Sequence, residues 1–288
     1  MLESVTLTEE PKQHRRSASQ LESYLRCPEA YRLEKVVKAP QYPAAWLTQG
    51  IAFHDAIEKW ERTGRTFPIE TVVEWFVTAW NEQLAKQMEQ EPNLSVWLTG
   101  GRTKPENDIK NRFERGQQQV MDYIAWALAT ENEWRILDLG DHDLACEVEF
   151  DIQLQGVRVV GFIDQLIEWP NGTVTVRDLK TGTKLPPTAR QLGIYKIAAK
   201  EVLDLDINWG DFYMSKNTAP TEPYDLSRFT PERVGRWFVN LDRSVMEGRF
   251  TPNPGDYCRI CAVERFCDLL GRDAHLYPVE SLFERQVA

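Results

Sequence analysis

The sequence predicts an α+β fold, a small mixed sheet flanked by helices with a helical insertion ahead of it. Three observations point there. Apolar residues recur at helical spacing as far as about residue 132. From Ala145 the period drops to two, with turn signals at Gln155-Gly156 and Pro170-Asn171-Gly172. A helical period then returns and closes with Thr230-Pro231, a cap followed by a first-turn proline. At 288 residues, 42% hydrophobic and 27% charged, the chain has the composition of a globular protein with a sizeable core. No apolar run reaches the roughly 18–20 residues that span a bilayer. The polar N-terminus carries no secretory signal, so a soluble, cytoplasmic protein without membrane attachment is expected. A net charge of −10 argues against a protein that coats nucleic acid by general basicity, but leaves room for a nucleic-acid enzyme with a local basic surface.

In chain order, residues 1–16 lack periodicity and are expected to form a mobile tail. An N-terminal helical region covers 17–68. Its first helix is expected from a Ser19/Glu22 capping box to about Val36, and Pro40 and Pro43 break it. The second, from about Ala44 to Thr63, should turn Trp46, Ile51, Phe53 and Ile57 inward. The insertion, 69–139, pairs two helices around a loop at Leu98–Asp108, with Trp75, Trp80 and Trp126 in apolar positions. The core, 140–217, reads as an antiparallel meander over Ala145–Leu154, Val157–Glu168 and Thr173–Lys180. A helix from Pro187 to about Val202 and a strand over Ile207–Ser215 complete it. The last region, 218–288, holds a helix ending near Gly248 and a cysteine-bearing tail. There is no internal repeat.

Chemistry concentrates on the meander. Asp178 and Lys180 are two apart on a strand and share a face, roughly 6–7 Å apart, and the hairpin partner brings Asp164 alongside. Two converging carboxylates suit a hard divalent cation, Mg²⁺ or Mn²⁺, and a lysine beside it can orient water or steady charge on a phosphate. Alone, Asp-x-Lys is more often a surface ion pair. Gln191 and Tyr195 stand four apart on the following helix, so one face carries both. Gly50, His54 and Glu58 form a stripe upstream; a histidine there is commonly structural, yet its imidazole can complete a carboxylate metal site. Glu147 or Glu149 could support the site, and nothing in the pattern chooses between them. Arg102, Lys104, Lys110, Arg112 and Arg115 form a basic segment able to track a phosphate backbone or to serve as a solvated helix face. Arg190 is a further candidate for DNA contact, and Tyr42 and Trp46 are candidates for base stacking. Of five cysteines, Cys258, Cys261 and Cys267 crowd near the C-terminus, Cys27 lies near the N-terminus, and Cys146 sits in an apolar strand as a core thiol. Close spacing without a secretory signal points to metal ligation, an iron–sulfur cluster or structural zinc, with the spacing favouring the cluster.

The series Gly50-x3-His54-x3-Glu58, Gly161-x2-Asp164, Asp178-x-Lys180-Thr181-Gly182 and Gln191-x3-Tyr195 resembles the RecB-like branch of the PD-(D/E)XK nuclease superfamily. The resemblance runs from Ser17 to Cys267. The cysteines are similar to those of its iron–sulfur exonucleases, of the AddB and CRISPR-adaptation type, including phage-encoded ones. The resemblance implies a restriction-endonuclease-like core and a metal-dependent DNA exonuclease of recombination, repair or processing. Asp164, Asp178, the Leu179 carbonyl and His54 would hold Mg²⁺ or Mn²⁺. Lys180, Gln191 and Tyr195 would act on the phosphodiester. Cys27, Cys258, Cys261 and Cys267 would hold a 4Fe–4S cluster that joins the termini as a structural staple. Implied partners are single-stranded or end-bearing DNA, a helicase, recombinase or adaptation-complex protein, and further copies of the chain. A catalytically silent DNA-binding scaffold is the alternative, and a redox iron–sulfur protein is a more distant one.

Overall fold

A computed structural model describes residues 14–279. Helix α1 (Ala18–Arg26) opens on Ser17, whose side chain accepts from the Gln20 amide, so the cap lies two residues before the expected Ser19. It ends at Cys27, whose extended backbone precedes Pro28, because proline disfavours helix in the residue before it. The expected helix to Val36 is therefore divided into α1 and a short α2 (Pro28–Tyr31) that runs into one wide turn, Arg32–Val36. Helix α3 (Ala45–Arg62) buries Phe53, Ile57 and Trp60, but Ile51 faces solvent and Trp46 is half-buried. The insertion helices α4 (Ile69–Gln90) and α5 (Pro105–Ala129) pack on α3 through Val72, Phe76, Trp80, Val120 and Tyr123. Gly116 admits the Phe76 ring, which a Cβ there would meet at 2.2 Å.

The sheet grows from one long strand. β4 (Val157–Glu168) pairs with β3 (Cys146–Leu154) and the short β2 (Arg135–Ile136) along one edge, both antiparallel. Along its other edge lie β5 (Val174–Lys180), antiparallel, and the short β1 (Arg15–Arg16), parallel. The tail expected over 1–16 lies outside the described residues as far as residue 13. Arg15 and Arg16 instead join the sheet, and Arg16 is buried against Asp242 and the Tyr31 hydroxyl. After β5 the chain crosses through α6 (Arg190–Leu203) to β6 (Trp209–Met214), parallel to β5. The strands β7 (Ala219–Pro220) and β8 (Tyr224–Asp225) pair with β6, and α7 (Pro231–Met246) starts on its Thr230 cap as expected.

The β5–β6 register is set by charge as well as backbone. Arg177 and Asp211 are direct partners, buried and doubly hydrogen-bonded at 2.6 and 3.0 Å. The guanidinium lies 5.2 Å from the Trp126 ring and 4.9 Å from Trp134, so the insertion clamps the strand that carries Asp178. A second small core forms between α2, with the segment after it, and the cysteine-bearing segment: Ala30, Leu33 and Ala39 pack on Val263 and Phe266. Beneath it Glu29 and Arg32, both fully buried, pair through two 2.6 Å bonds. Arg32 also donates to the Tyr277 carbonyl, and Glu29 accepts from the Asp268 amide. These contacts, with Asn253 bonded to Arg26 and Cys27, hold the cysteine tail against α1 and α2.

Candidate active site

Strand register builds the site. Cys146↔Gln165 and Val148↔Ile163 place Glu147 opposite Asp164, and Gln165↔Arg177 leads on to Asp164 beside Asp178. Three carboxylates thus stand in a row across β3, β4 and β5. Like charges set side by side destabilise a sheet unless cations separate them, and two do. His54, from α3, directs Nδ1 to Glu147 at 3.1 Å with Asp164 Oδ2 at 3.8 Å, and Nε2 to the Leu179 carbonyl at 3.1 Å. Lys180 brings its Nζ 2.6 Å from Asp178 Oδ2.

A single polar chain closes around them. The Lys180 ammonium donates to Gln191 Oε1 (2.9 Å), Gln191 Nε2 donates to the Tyr195 hydroxyl (2.8 Å), and Tyr195 donates to Asp164 Oδ1 (3.0 Å). The Leu179 amide holds the other Asp164 oxygen at 2.9 Å. The site lies at the carboxyl end of β5 where the crossover to α6 begins, the usual place for a site in parallel β–α–β units. Gly161 belongs to the geometry too. It sits opposite Phe150, whose ring a Cβ would strike at 2.7 Å, and that ring packs edge-on against Tyr195.

The residues present fit a hard divalent cation. Among the described residues, His54, Glu147 and Asp164 are the one set of three potential ligands whose donor atoms all lie within 4.8 Å. Asp178 is fully buried, and its Oδ1 meets no hydrogen-bond donor, a costly arrangement for a carboxylate unless a cation completes it. Burial first, and Asp164 second, push its carboxyl well above the ordinary range. Burial likewise raises the Tyr195 phenol, which stays protonated as a donor.

For His54, burial works against the charged form, but Glu147 and then Asp164 overcome it and raise its pKa from 6.5 to about 9. The folded value lies above the free one, so this term stabilises the metal-free fold fully below about 6.5 and is lost as pH rises through about 9. Coordination needs the neutral imidazole. Mg²⁺ affinity should therefore climb with pH up to about 9, with protons released on binding from His54 and from the raised Asp178 carboxyl, in calorimetry run in buffers of differing ionisation enthalpy. His54→Gln should remove the His54 share of that release and leave that of Asp178. An affinity flat over this range would remove His54 from the ligand set.

Asp164, Asp178, Lys180, Gln191, Tyr195, His54 and the Leu179 carbonyl all converge here. Glu58 does not. It pairs with Arg62 at 2.9 Å, and Arg62 in turn reaches the Cys146 carbonyl. Glu147, not the exposed Glu149, is the first-strand acid of the site. Glu147 has a positive φ of 47°, a local departure from strand geometry at a cluster of charged groups. Arg190 is not presented to an incoming phosphate: Glu22 of α1 holds its guanidinium by bonds of 2.7 and 2.9 Å. In the basic segment, Arg102 and Lys104 are exposed, while Arg112 lies against Asp108 and 6.0 Å from the Trp46 ring.

Lys180 and Gln191 also line a cleft of about 730 Å³. Tyr42 and Trp46 form part of its wall, and Cys27, Cys258, Cys261 and Cys267 stand together around it. The Cys27 sulfur accepts from the Asn253 amide and Cys258 from the Gly255 amide, both at 3.4 Å. Burial pushes the Cys261 thiol up to about 11 and raises Cys267 as well. Cys146 is apart from them, buried in β3 as expected. Among the described residues, no helix is long and apolar enough to cross a membrane.

Two phage proteins share this sequence across most of their length. The chain is 34% identical over 278 residues to the Gene 69 protein of Mycobacterium phage L5, covering 88% of this chain and 95% of that one. It is 34% identical over 261 residues to the Gene 69 protein of Mycobacterium phage D29, covering 88% and 96%. Of solved structures, the crystal structure of SSO0001 aligns over 92% of this chain and 90% of that one, at 12% identity and a TM-score of 0.40. The family model of the PD-(D/E)XK nuclease superfamily matches residues 15–268, which take in every strand and every helix just described. Fold, carboxylate row and family match agree: this chain belongs to the PD-(D/E)XK nuclease superfamily.

Proposed function

We propose that the chain is a divalent-metal-dependent DNA exonuclease of the RecB-like, iron–sulfur type, working in recombination, repair or processing of DNA in the cytoplasm of a phage-infected host. The observation that carries the nuclease reading is the unbroken chain from Lys180 through Gln191 and Tyr195 to Asp164, set beside a buried Asp178. A structural ion pair between Lys180 and Asp178 would not need α6 to fix both the lysine and the neighbouring Asp164. Mg²⁺ or Mn²⁺, held by Asp164, Asp178, His54 and the Leu179 carbonyl with Glu147 alongside, would polarise the scissile phosphate and lower the pKa of water. Lys180 aims the attacking water and steadies the charge that grows on the phosphate. Gln191 fixes the Lys180 ammonium in place, and Tyr195 prevents Asp164 from rotating. Tyr42, Trp46, Arg102 and Lys104 lie toward the DNA.

The exonuclease habit and the cluster rest on the cysteine pattern. One geometric point supports four thiolates around 4Fe–4S: the four cysteines share one cavity, with amides directed at two of the sulfurs. Anaerobically purified protein should be brown with about four irons per chain. Colourless protein carrying one zinc would overturn the cluster.

The decisive experiment digests end-labelled linear and closed circular DNA side by side, with Mg²⁺ or Mn²⁺ and with chelator. Metal-dependent loss of the linear form alone establishes the exonuclease. Loss of both makes the enzyme an endonuclease. Cleavage of neither leaves a DNA-binding scaffold, a component of a recombination or adaptation complex.

A further inference from the structure

A second groove lies on the other side of α1 from the catalytic cleft, between that helix, α6 and α7, with a volume of about 500 Å³. The two are immediate neighbours: Gln191 lines the cleft, Arg190 lines the groove, and the Glu22–Arg190 pair stands between them. The floor is apolar, made by the buried Leu21, Phe229 and Leu241. Over it Trp237 is half-buried and meets Phe229 edge-on at 5.9 Å. Arg228 and Arg233 stand exposed at the rim. In a chain of net charge −10 these two cations enter no ion pair among the described residues; Asp225, whose carboxyl is held down chiefly by hydrogen bonds from Ser227 and only slightly by Lys196 and Arg228, is the nearby acid. Arg228 lies over the Phe229 ring, 5.5 Å from its centroid, with its charge still exposed. A groove with an aromatic wall and exposed guanidinium groups at its rim is the pattern that takes a nucleotide, with its base on the ring and its phosphates at the cations.

We infer that this groove is a subsite for single-stranded DNA continuing from the catalytic cleft, with Trp237 stacking on a base and Arg228 and Arg233 holding flanking phosphates. The inference rests on the nuclease reading for its choice of ligand. An acidic peptide would satisfy the arginines but gives no use to the ring and the apolar floor beneath it.

The test is binding of a fluorescein-labelled 20-mer of deoxythymidine, followed by anisotropy in chelator across a salt series. R228E/R233E should weaken binding at least tenfold and reduce the slope of log K against log[salt] by about 1.4, at about 0.7 per lost phosphate contact on a single strand. W237A should weaken binding about tenfold with the slope unchanged, since stacking releases no counterions. Thermal melting matched to wild type shows that the surface changes leave the fold intact. Variants that bind the 20-mer as wild type does, with the same slope, overturn the subsite and leave the nuclease reading standing. Wild-type protein that binds with the stated slopes but cleaves no DNA retains the subsite and ends the nuclease reading. Binding of polyglutamate but not of the 20-mer overturns the subsite in favour of an acidic protein partner.

Discussion

Asp178→Asn should reduce cleavage below about a thousandth of wild type while leaving DNA affinity in chelator unchanged. The residue is fully buried, Lys180 is its ion partner, and one of its oxygens has no donor. It therefore offers nothing to DNA and a great deal to a cation. The same burial makes a second outcome expected. Its carboxyl is pushed upward, so ionising it in the metal-free fold costs stability as pH rises above the ordinary carboxylate range. The amide removes that cost. Metal-free Asp178→Asn should melt above wild type at neutral pH, by about 2–4 °C for each kcal/mol relieved, and should lose part of the pH dependence of melting. Turnover near wild type would show that a different carboxylate carries the chemistry. Lys180→Ala should differ in kind, lowering kcat roughly 10²-fold with Mn²⁺ affinity little changed. Rescue by excess Mn²⁺ would contradict its role at the water.

The largest stability effect is expected outside the carboxylate row. Arg32→Met leaves Glu29 charged and fully buried, which costs about 3–5 kcal/mol, a large share of the roughly 5–15 kcal/mol that holds a domain together. The double variant Glu29→Leu/Arg32→Met should recover most of the loss, because no charge is then left uncompensated. Urea denaturation of the singles and the double yields the coupling directly. Arg32 also bonds the Tyr277 carbonyl and Glu29 the Asp268 amide, so the single variant should expose the tail from Phe250 onward to protease before the core opens. A tail as resistant as in wild type would mean that other contacts retain it.

The parts of the site legible in the sequence were those that depend on period alone. Two-residue spacing put Asp178 and Lys180 on one face, and four-residue spacing put Gln191 and Tyr195 on another. The structure joins the two pairs through the 2.9 Å bond from Lys180 to Gln191. What escaped the sequence depended on partners distant along the chain. Glu147 and Glu149 are equivalent in an alternating strand, and only the bulged backbone at Glu147 and the reach of His54 across from α3 separate them. Arg190 reads as a free cation until Glu22, far back in α1, is brought against it. Glu58 extends the His54 stripe at helical spacing, yet one further turn carries it to Arg62 and away from the carboxylates. The break at Cys27 comes from Pro28, a single-residue signal inside a segment whose helical spacing otherwise runs on toward Val36.

The carboxylate row has one further consequence, for the order of events in a newly made chain. Domains whose ligands repel one another until an ion arrives stay unfolded without it. In this chain the imidazolium of His54 already occupies the position between Glu147 and Asp164, with its far nitrogen on the Leu179 carbonyl, and Lys180 balances Asp178. Under the proposed ligand set a proton would stand in for the cation, so the chelated polypeptide should keep its shape and loading would be an exchange of one cation for another. Acid or chelator should then reverse it without unravelling the sheet, and a cell short of Mg²⁺ would accumulate idle but intact enzyme.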